Sequence, residues 1–180
     1  MLSRINNKQI HPNDLPCICY QILRALEYLN LHNIIHRDLK PENILFVAPN
    51  DLRLKVTDFG LSRKIDARSH MATTICGTSL YVAPEVTSGS PYDASRIDVW
   101  SAGVVFFVTA CGYIPVPEVN HEKLTNYDRR VQFHSDWSAR DQRLVDLIRC
   151  MLVVDVNKRY TVGQCLVHPF ITQYSSTLVN

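Results

Sequence analysis

The sequence predicts a mainly α-helical domain interrupted by one small β-hairpin, and three stretches carry that prediction. Asp14–Leu29 places Leu15, Ile18, Ile22, Leu26 and Leu29 at helical spacing on one side. Val99–Ile114 is almost continuously apolar. Between them, Ile44–Val47 and Leu52–Val56 are short apolar or alternating runs joined by Ala48-Pro49-Asn50-Asp51, the pattern of a hairpin. Taken in order, the first helix has Asn13 or Asp14 to cap its start and Pro16 in its first turn, where the missing N–H is not needed. Beyond the hairpin, residues 61–81 show no periodicity and much Ser, Thr and Arg, as a mobile surface loop would. Helices then follow over Asp98–Ala110, Ala139–Leu152 and from about Thr161 to Leu166.

Composition narrows the function classes. With 180 residues and 46% hydrophobic content, the chain makes one globular domain or a large part of one. A formal charge of +2, with Lys and Arg scattered, offers no nucleic-acid surface. Six cysteines form no C-x-x-C pair, and Cys17 and Cys19 fall on different faces of one predicted helix. The seven histidines keep no metal-ligand spacing. Reduced cysteines in an intracellular protein, cytoplasmic or nuclear, are therefore expected. Residues 1–16 are polar and hold two prolines, unlike a signal peptide. The Val99–Ile114 run contains Gly103 and Gly112, precedes Pro115 and is shorter than the roughly 20 residues of a membrane span, so a buried core helix and no membrane partner are expected.

The polar residues around the hairpin point to chemistry. His36-Arg37-Asp38-Leu39-Lys40-Pro41-Glu42-Asn43 leads into it, and Asp58-Phe59-Gly60 leaves it. Antiparallel strands would set Asn43 and Asp58 side by side at the open end. An amide oxygen beside a carboxylate suits Mg²⁺, which takes oxygen ligands and shares them with phosphates. Asp38, five residues before Asn43, can face the same place, and Lys40 brings a positive charge. A carboxylate to orient a hydroxyl, a lysine and two magnesium ligands are parts that phosphoryl transfer needs.

Further segments follow in order: Gly77-Thr78 to Tyr81, Ala83-Pro84-Glu85, Asp98-Val99-Trp100-Ser101-Ala102-Gly103, Asp155 to Arg159, and His168-Pro169-Phe170. With the two hairpin motifs, this series resembles the protein kinases over essentially all 180 residues. The resemblance implies ATP and Mg²⁺ as cofactors and a kinase-type C-terminal lobe. It also implies that Asp38 accepts the substrate hydroxyl's proton and that Lys40 neutralises charge on the γ-phosphoryl group. Asn43 and Asp58 would hold Mg²⁺, Leu45 would pack beneath the adenine, and Glu42 would belong to the same cofactor-binding stretch. Glu85 and Arg159 would form a buried ion pair bracing the substrate-side loop. Asp98 would hydrogen-bond the catalytic-loop backbone.

Lys40-Pro41-Glu42-Asn43 and Thr78 look like the serine/threonine branch, so Ser/Thr-containing proteins are the implied substrates. Thr74-Ile75-Cys76-Gly77-Thr78 and Gly112-Tyr113 look closest to calcium/calmodulin-dependent and checkpoint-type kinases, although Val116 stands where their Gly-Tyr-x-Pro-Phe pattern has Phe. Arg37 and Arg63 resemble the pocket that grips a phosphorylated activation loop, with Thr74 the first candidate for an upstream kinase and Thr73 and Ser69 behind it. Glu42 would meet a basic residue upstream of the phosphoacceptor, while Val108 stands where some relatives carry a second acid.

The Gly-rich loop, strand lysine and helix glutamate of a kinase do not occur before His36. Residues 1–180 are therefore expected to be a partial catalytic domain whose N-terminal lobe is absent, feeble or inactive alone. The alternative is a non-catalytic module that binds kinase substrates or regulators.

Overall fold

The computed structural model describes residues 1–66, 71–72, 74, 76–78, 80–88, 91–115 and 140–175. Its core forms where helix α2 (Leu15–Leu31) meets helix α3 (Ile97–Cys111). The periodic residues Leu15, Ile18, Ile22, Leu26 and Leu29 of α2 are all buried. Asp14 stands at the N-cap of α2 without capping through its side chain. That carboxylate instead closes a capping box with His11 around the 3-10 turn Pro12–Asp14, which is why the sequence signal for the helix begins early.

Helix α3 is apolar around its whole circumference and is buried around it, with Trp100, Phe106 and Phe107 fully enclosed. Ala94–Cys111 is long and apolar enough to cross a membrane by length and composition, yet 78% of it is buried inside this fold. Gly103 lets the next helix approach: a Cβ there would stand 2.9 Å from Leu152 Cδ2 and 3.0 Å from Met151 Cβ. Gly112 ends α3 in the left-handed region at φ 79°, donating to Val108 O at 2.7 Å.

Short helix α1 (Leu2–Asn6) precedes α2, and α4 (Gln142–Met151), α5 (Val162–Leu166) and α6 (Pro169–Ser175) complete the helical layer. Asp141 and Thr161 cap α4 and α5. Of the expected Ala139–Leu152 helix, residue 139 lies outside the described residues. Helix α6 was not anticipated. It is a single short stretch with Pro at its first position, and periodicity does not register over so few turns.

The strands correct the expectation of one hairpin and a featureless segment at 61–81. The hairpin is there, as β2 (Ile44–Phe46) paired with β3 (Leu54–Val56). Two further antiparallel pairs join β1 (Ile34–Ile35) to β4 (Arg63–Lys64) and β5 (Met71–Ala72) to β6 (Tyr92–Asp93). Two-residue strands paired with distant partners leave no alternation to detect. All six cysteines are free.

Candidate active site

The segment between β1 and β2 is shaped from below by Asp98. This carboxylate lies in the first turn of α3, is 5% exposed, and accepts the amides of His36 at 2.7 Å and Arg37 at 2.9 Å. Burial raises its pKa, against those two amide bonds and the charges of His36 and Arg37. Arg37 is thereby held at φ 66°, a left-handed conformation that costs a non-glycine residue about 1–2 kcal/mol. His36, fully buried, joins this segment to the hairpin exit. Its Nε2 pairs with Thr57 O at 2.9 Å, its Nδ1 accepts Asp38 N at 3.3 Å, and the Phe59 ring meets it edge-on at 5.0 Å.

Asp38 is the centre of the polar network. Its Oδ1 accepts from the Thr78 amide at 3.1 Å and the Thr78 hydroxyl at 2.8 Å. Its Oδ2 meets Lys40 Nζ at 2.9 Å and Asn43 Nδ2 at 3.1 Å. Lys40 also donates to the Thr78 hydroxyl at 2.7 Å, so lysine, threonine and aspartate form a closed triangle. Burial acts to raise the Asp38 pKa, but the bonds from Lys40 and Thr78 together with the lysine charge outweigh it and leave the carboxyl below its ordinary value. Asp38 is therefore ionised at neutral pH and can accept a hydrogen bond from a hydroxyl.

Asn43 is buried and uses Nδ2 on Asp38, also reaching Asp38 O at 2.8 Å. The register sets Ile44 against Val56, so Asn43 faces Thr57, whose amide donates to Asn43 O at 2.8 Å. Asp58 is thus one residue past the position directly opposite Asn43, a correction to the side-by-side expectation. It is exposed, sits at φ 62°, and accepts Gly60 N at 3.3 Å. The donor set fits Mg²⁺. With its nitrogen held by Asp38, the Asn43 amide offers its oxygen, and Asp58 offers a solvent-facing carboxylate. Among the described residues no three His, Cys, Asp or Glu gather into a metal cage, and magnesium is commonly held by one or two carboxylates with phosphates and water.

Glu85 and Arg159 lie bidentate, at 2.6 and 2.9 Å. Arg159 is 1% exposed and also donates to Val153 O, Arg96 O and Val154 O, while its guanidinium lies 4.9 Å from the Trp100 ring centre. All five N–H groups are engaged.

Arg63 Nη1 stands 3.5 Å from the Thr74 hydroxyl, and the Tyr92 hydroxyl donates to Thr74 O at 2.8 Å. Arg37 donates through Nε to Leu61 O at 2.7 Å, and no hydrogen bond joins it to Thr74 among the described residues. It lies beside Tyr92: burial raises the Tyr92 pKa, Cys76 adds to this, and Arg37 and Arg63 offset part of it. Thr73 and Ser69 lie outside the described residues. Glu42 and Leu45 are exposed at the mouth of the site.

Sequence reasoning missed Gln21, Tyr92 and Arg96. Gln21 holds the outer edge of β3, and Arg96 donates to the carbonyls of Val156, Asn157 and Arg159. Gln21 alone left a trace, as a polar residue beside the buried Ile22 on an apolar helix.

The family model described as the protein kinase domain matches residues 1–171. The chain belongs to the protein kinase domain family. This kinase domain is 40% identical over 164 residues to the "Calcium/calmodulin-dependent protein kinase type 1" of Macrobrachium nipponense, covering 89% of the chain and 47% of that protein. It is 36% identical over 177 residues to the "Probable serine/threonine-protein kinase fhkC" of Dictyostelium discoideum, covering 94% of the chain and 29% of that protein. It is 37% identical over 184 residues to a "Probable myosin light chain kinase" of the same organism, covering 96% and 57%. The kinase domain thus spans about half or less of two of these relatives and 57% of the third.

Proposed function

We propose that this chain carries the catalytic-loop half of a serine/threonine protein kinase and supports transfer of the γ-phosphoryl group of ATP to Ser/Thr hydroxyls of proteins. The observation that carries the reading is the triangle of Asp38, Lys40 and Thr78, with every side 2.9 Å or less. Asp38, ionised, accepts and aims the substrate hydroxyl. Lys40 stabilises the charge that builds on the transferring group, and Thr78 holds both side chains in place. Asn43 and Asp58 would hold Mg²⁺, which when bound would neutralise phosphate charge. Because Asp38 already has four hydrogen-bonding partners, a substrate hydroxyl enters by displacing one of them. Leu45, 48% exposed, provides an apolar surface for a base.

Thr74 is the phosphorylation site in this reading, because Arg63 already reaches its hydroxyl and Arg37 lies across Tyr92 from it. A phosphate there adds a charge of about −1.5 to −2 and would draw the two arginines together.

The test is phosphate transfer from labelled ATP and Mg²⁺ to a pool of Ser/Thr peptides, with Asp38→Asn and Thr74→Ala alongside. Transfer lost on Asp38→Asn, by about 10²–10⁴-fold, supports the reading. Transfer unchanged by Thr74→Ala after treatment with an activating kinase removes the regulatory part. No transfer from a sample shown to be folded, with peptide binding retained, favours a non-catalytic module that captures kinase substrates.

A further inference from the structure

The hairpin that carries Asn43 and Asp58 has too little pairing to hold itself. Its register comprises three pairs, Ile44 with Val56, Leu45 with Lys55 and Phe46 with Leu54. A two-stranded ribbon is marginal in water, and a third strand or a packed helix is needed to fix it. Arg53 turns its carbonyl inward to Val47 N at 3.0 Å. The alternation of a strand therefore points Leu52 C=O and Leu54 N–H the other way. The Gln21 side chain on α2 takes both of those groups. Nε2 donates to Leu52 O at 2.8 Å and Oε1 accepts Leu54 N at 3.0 Å. One planar amide thus makes the two hydrogen bonds that a neighbouring strand would make. It is itself steadied within α2, donating to Cys17 O at 3.3 Å.

We propose that Gln21 is a positioning residue for the metal site, acting as the third strand that sets where Asn43 and Asp58 stand. The inference rests on the reading of those two residues as magnesium ligands. The path is short: α2 is anchored in the core, β3 is pinned to it through Gln21, and Asp58 leaves β3 two residues after Val56. Asp58 sits at φ 62° with its carboxylate accepting Gly60 N at 3.3 Å, so where this turn begins follows from where the end of β3 is held. Arg4 supports the far end of the same hairpin. It donates to Ala48 O, Pro49 O and Asp51 O and stacks 3.6 Å from the Phe46 ring centre. Its hydrogen bonds lie at the turn, away from the ligands, while Met1 N donates to Ile44 O at 2.7 Å on the β2 side and His36 meets Thr57 O at 2.9 Å, so Gln21 is the hold on the outer edge of β3 itself.

The experiment is titration of the whole chain with Mn²⁺, followed by the paramagnetic signal of the free ion and scaled to the folded fraction. Asp58→Asn reports whether Mn²⁺ occupies this site. Gln21→Met keeps the length and removes both hydrogen bonds. Leu26→Ala destabilises α2 from its core side without removing a bond to the hairpin. Partners that orient metal ligands are commonly worth 10–100-fold in metal affinity, so Gln21→Met should raise the Mn²⁺ dissociation constant about tenfold or more, with Leu26→Ala within about twofold of wild type. If Gln21→Met binds as wild type while Asp58→Asn binds weakly, the inference is wrong and the magnesium-site reading stands. If Asp58→Asn also binds as wild type, both fall. Equal weakening by Gln21→Met and Leu26→Ala would reduce Gln21 to general stability and overturn the inference. Should Gln21→Met not fold, Gln21→Glu keeps the acceptor for Leu54 N–H and is expected to give an intermediate loss, while wild-type affinity there counts against it.

Discussion

Two ion pairs organise this molecule, and they are built to opposite rules. Arg159 is sealed inside the fold with every N–H engaged and the Trp100 ring alongside, and its partner Glu85 is 13% exposed. Asp38 and Lys40 meet at 2.9 Å against 2.6 Å for the first pair, but the lysine is 20% exposed and neighbouring Asp58 faces solvent. Charge in the first pair serves shape, because a buried ion pair must satisfy all its hydrogen bonds to survive desolvation. Charge in the second pair remains within reach of a ligand. Strain follows the same division. Arg37 and Asp58, two of the four non-glycine residues with positive φ among the described residues, flank the open pair, and Asp98 and Thr57 hold the backbone around them.

The comparison is most severely tested at the sealed pair. Arg159→Met should cost about 3–5 kcal/mol of stability in urea unfolding, since it strips two hydrogen bonds from Glu85 and three from main-chain carbonyls. Adding Glu85→Leu should return much of that loss. A loss below about 1 kcal/mol for the single change, the range of exposed pairs, would erase the distinction between the two centres.

The next test uses acid. Asp38 has a depressed pKa in the folded protein, so its stabilisation is present above its ordinary pKa of 3.8 and is lost as pH falls through the folded value. Asp98 is shifted the other way by burial. Its contribution is full below 3.8 and declines as pH rises through the raised value. Urea midpoints across about pH 3 to 7 should therefore fall less steeply in acid for Asp38→Asn than for wild type, and more steeply for Asp98→Asn. Identical slopes in all three proteins would show that neither carboxyl is coupled to folding. The smallest effect belongs to the surface pair Arg143–Asp141, 2.7 Å apart with the arginine 52% exposed. Arg143→Ala should change stability by no more than about 0.5 kcal/mol, while leaving the Asp141 cap of α4 in place.

Much of this was legible before any coordinates. The apolar stripe of α2 and the apolar run of α3 specify buried helices because burial of such surface is the dominant favourable term in folding. Asp38, Lys40 and Asn43 are close in the chain, so a short turn suffices to bring them together. Asp58 follows from the hairpin to within one residue, the error arising from a register that pairs Ile44 with Val56. Short strands were illegible, as two-residue pairs have no period. Thr78 beside Asp38, and Arg63 beside Thr74, were expected from resemblance alone, since nothing local in the chain brings together residues 40 and 11 positions apart.

By itself the sequence determined the helices, the hairpin and the set of chemical groups, because each depends on spacing along a few turns of chain. Only the tertiary structure decided which groups are sealed and which stay open. Arg159 looks like any surface arginine until Trp100, Glu85 and three carbonyls close around it, and Gln21 looks like an ordinary helix residue until β3 lies against it. Hydrogen-bond satisfaction depends on partners distant in the chain, and it decides whether a buried polar group is a cost or a support.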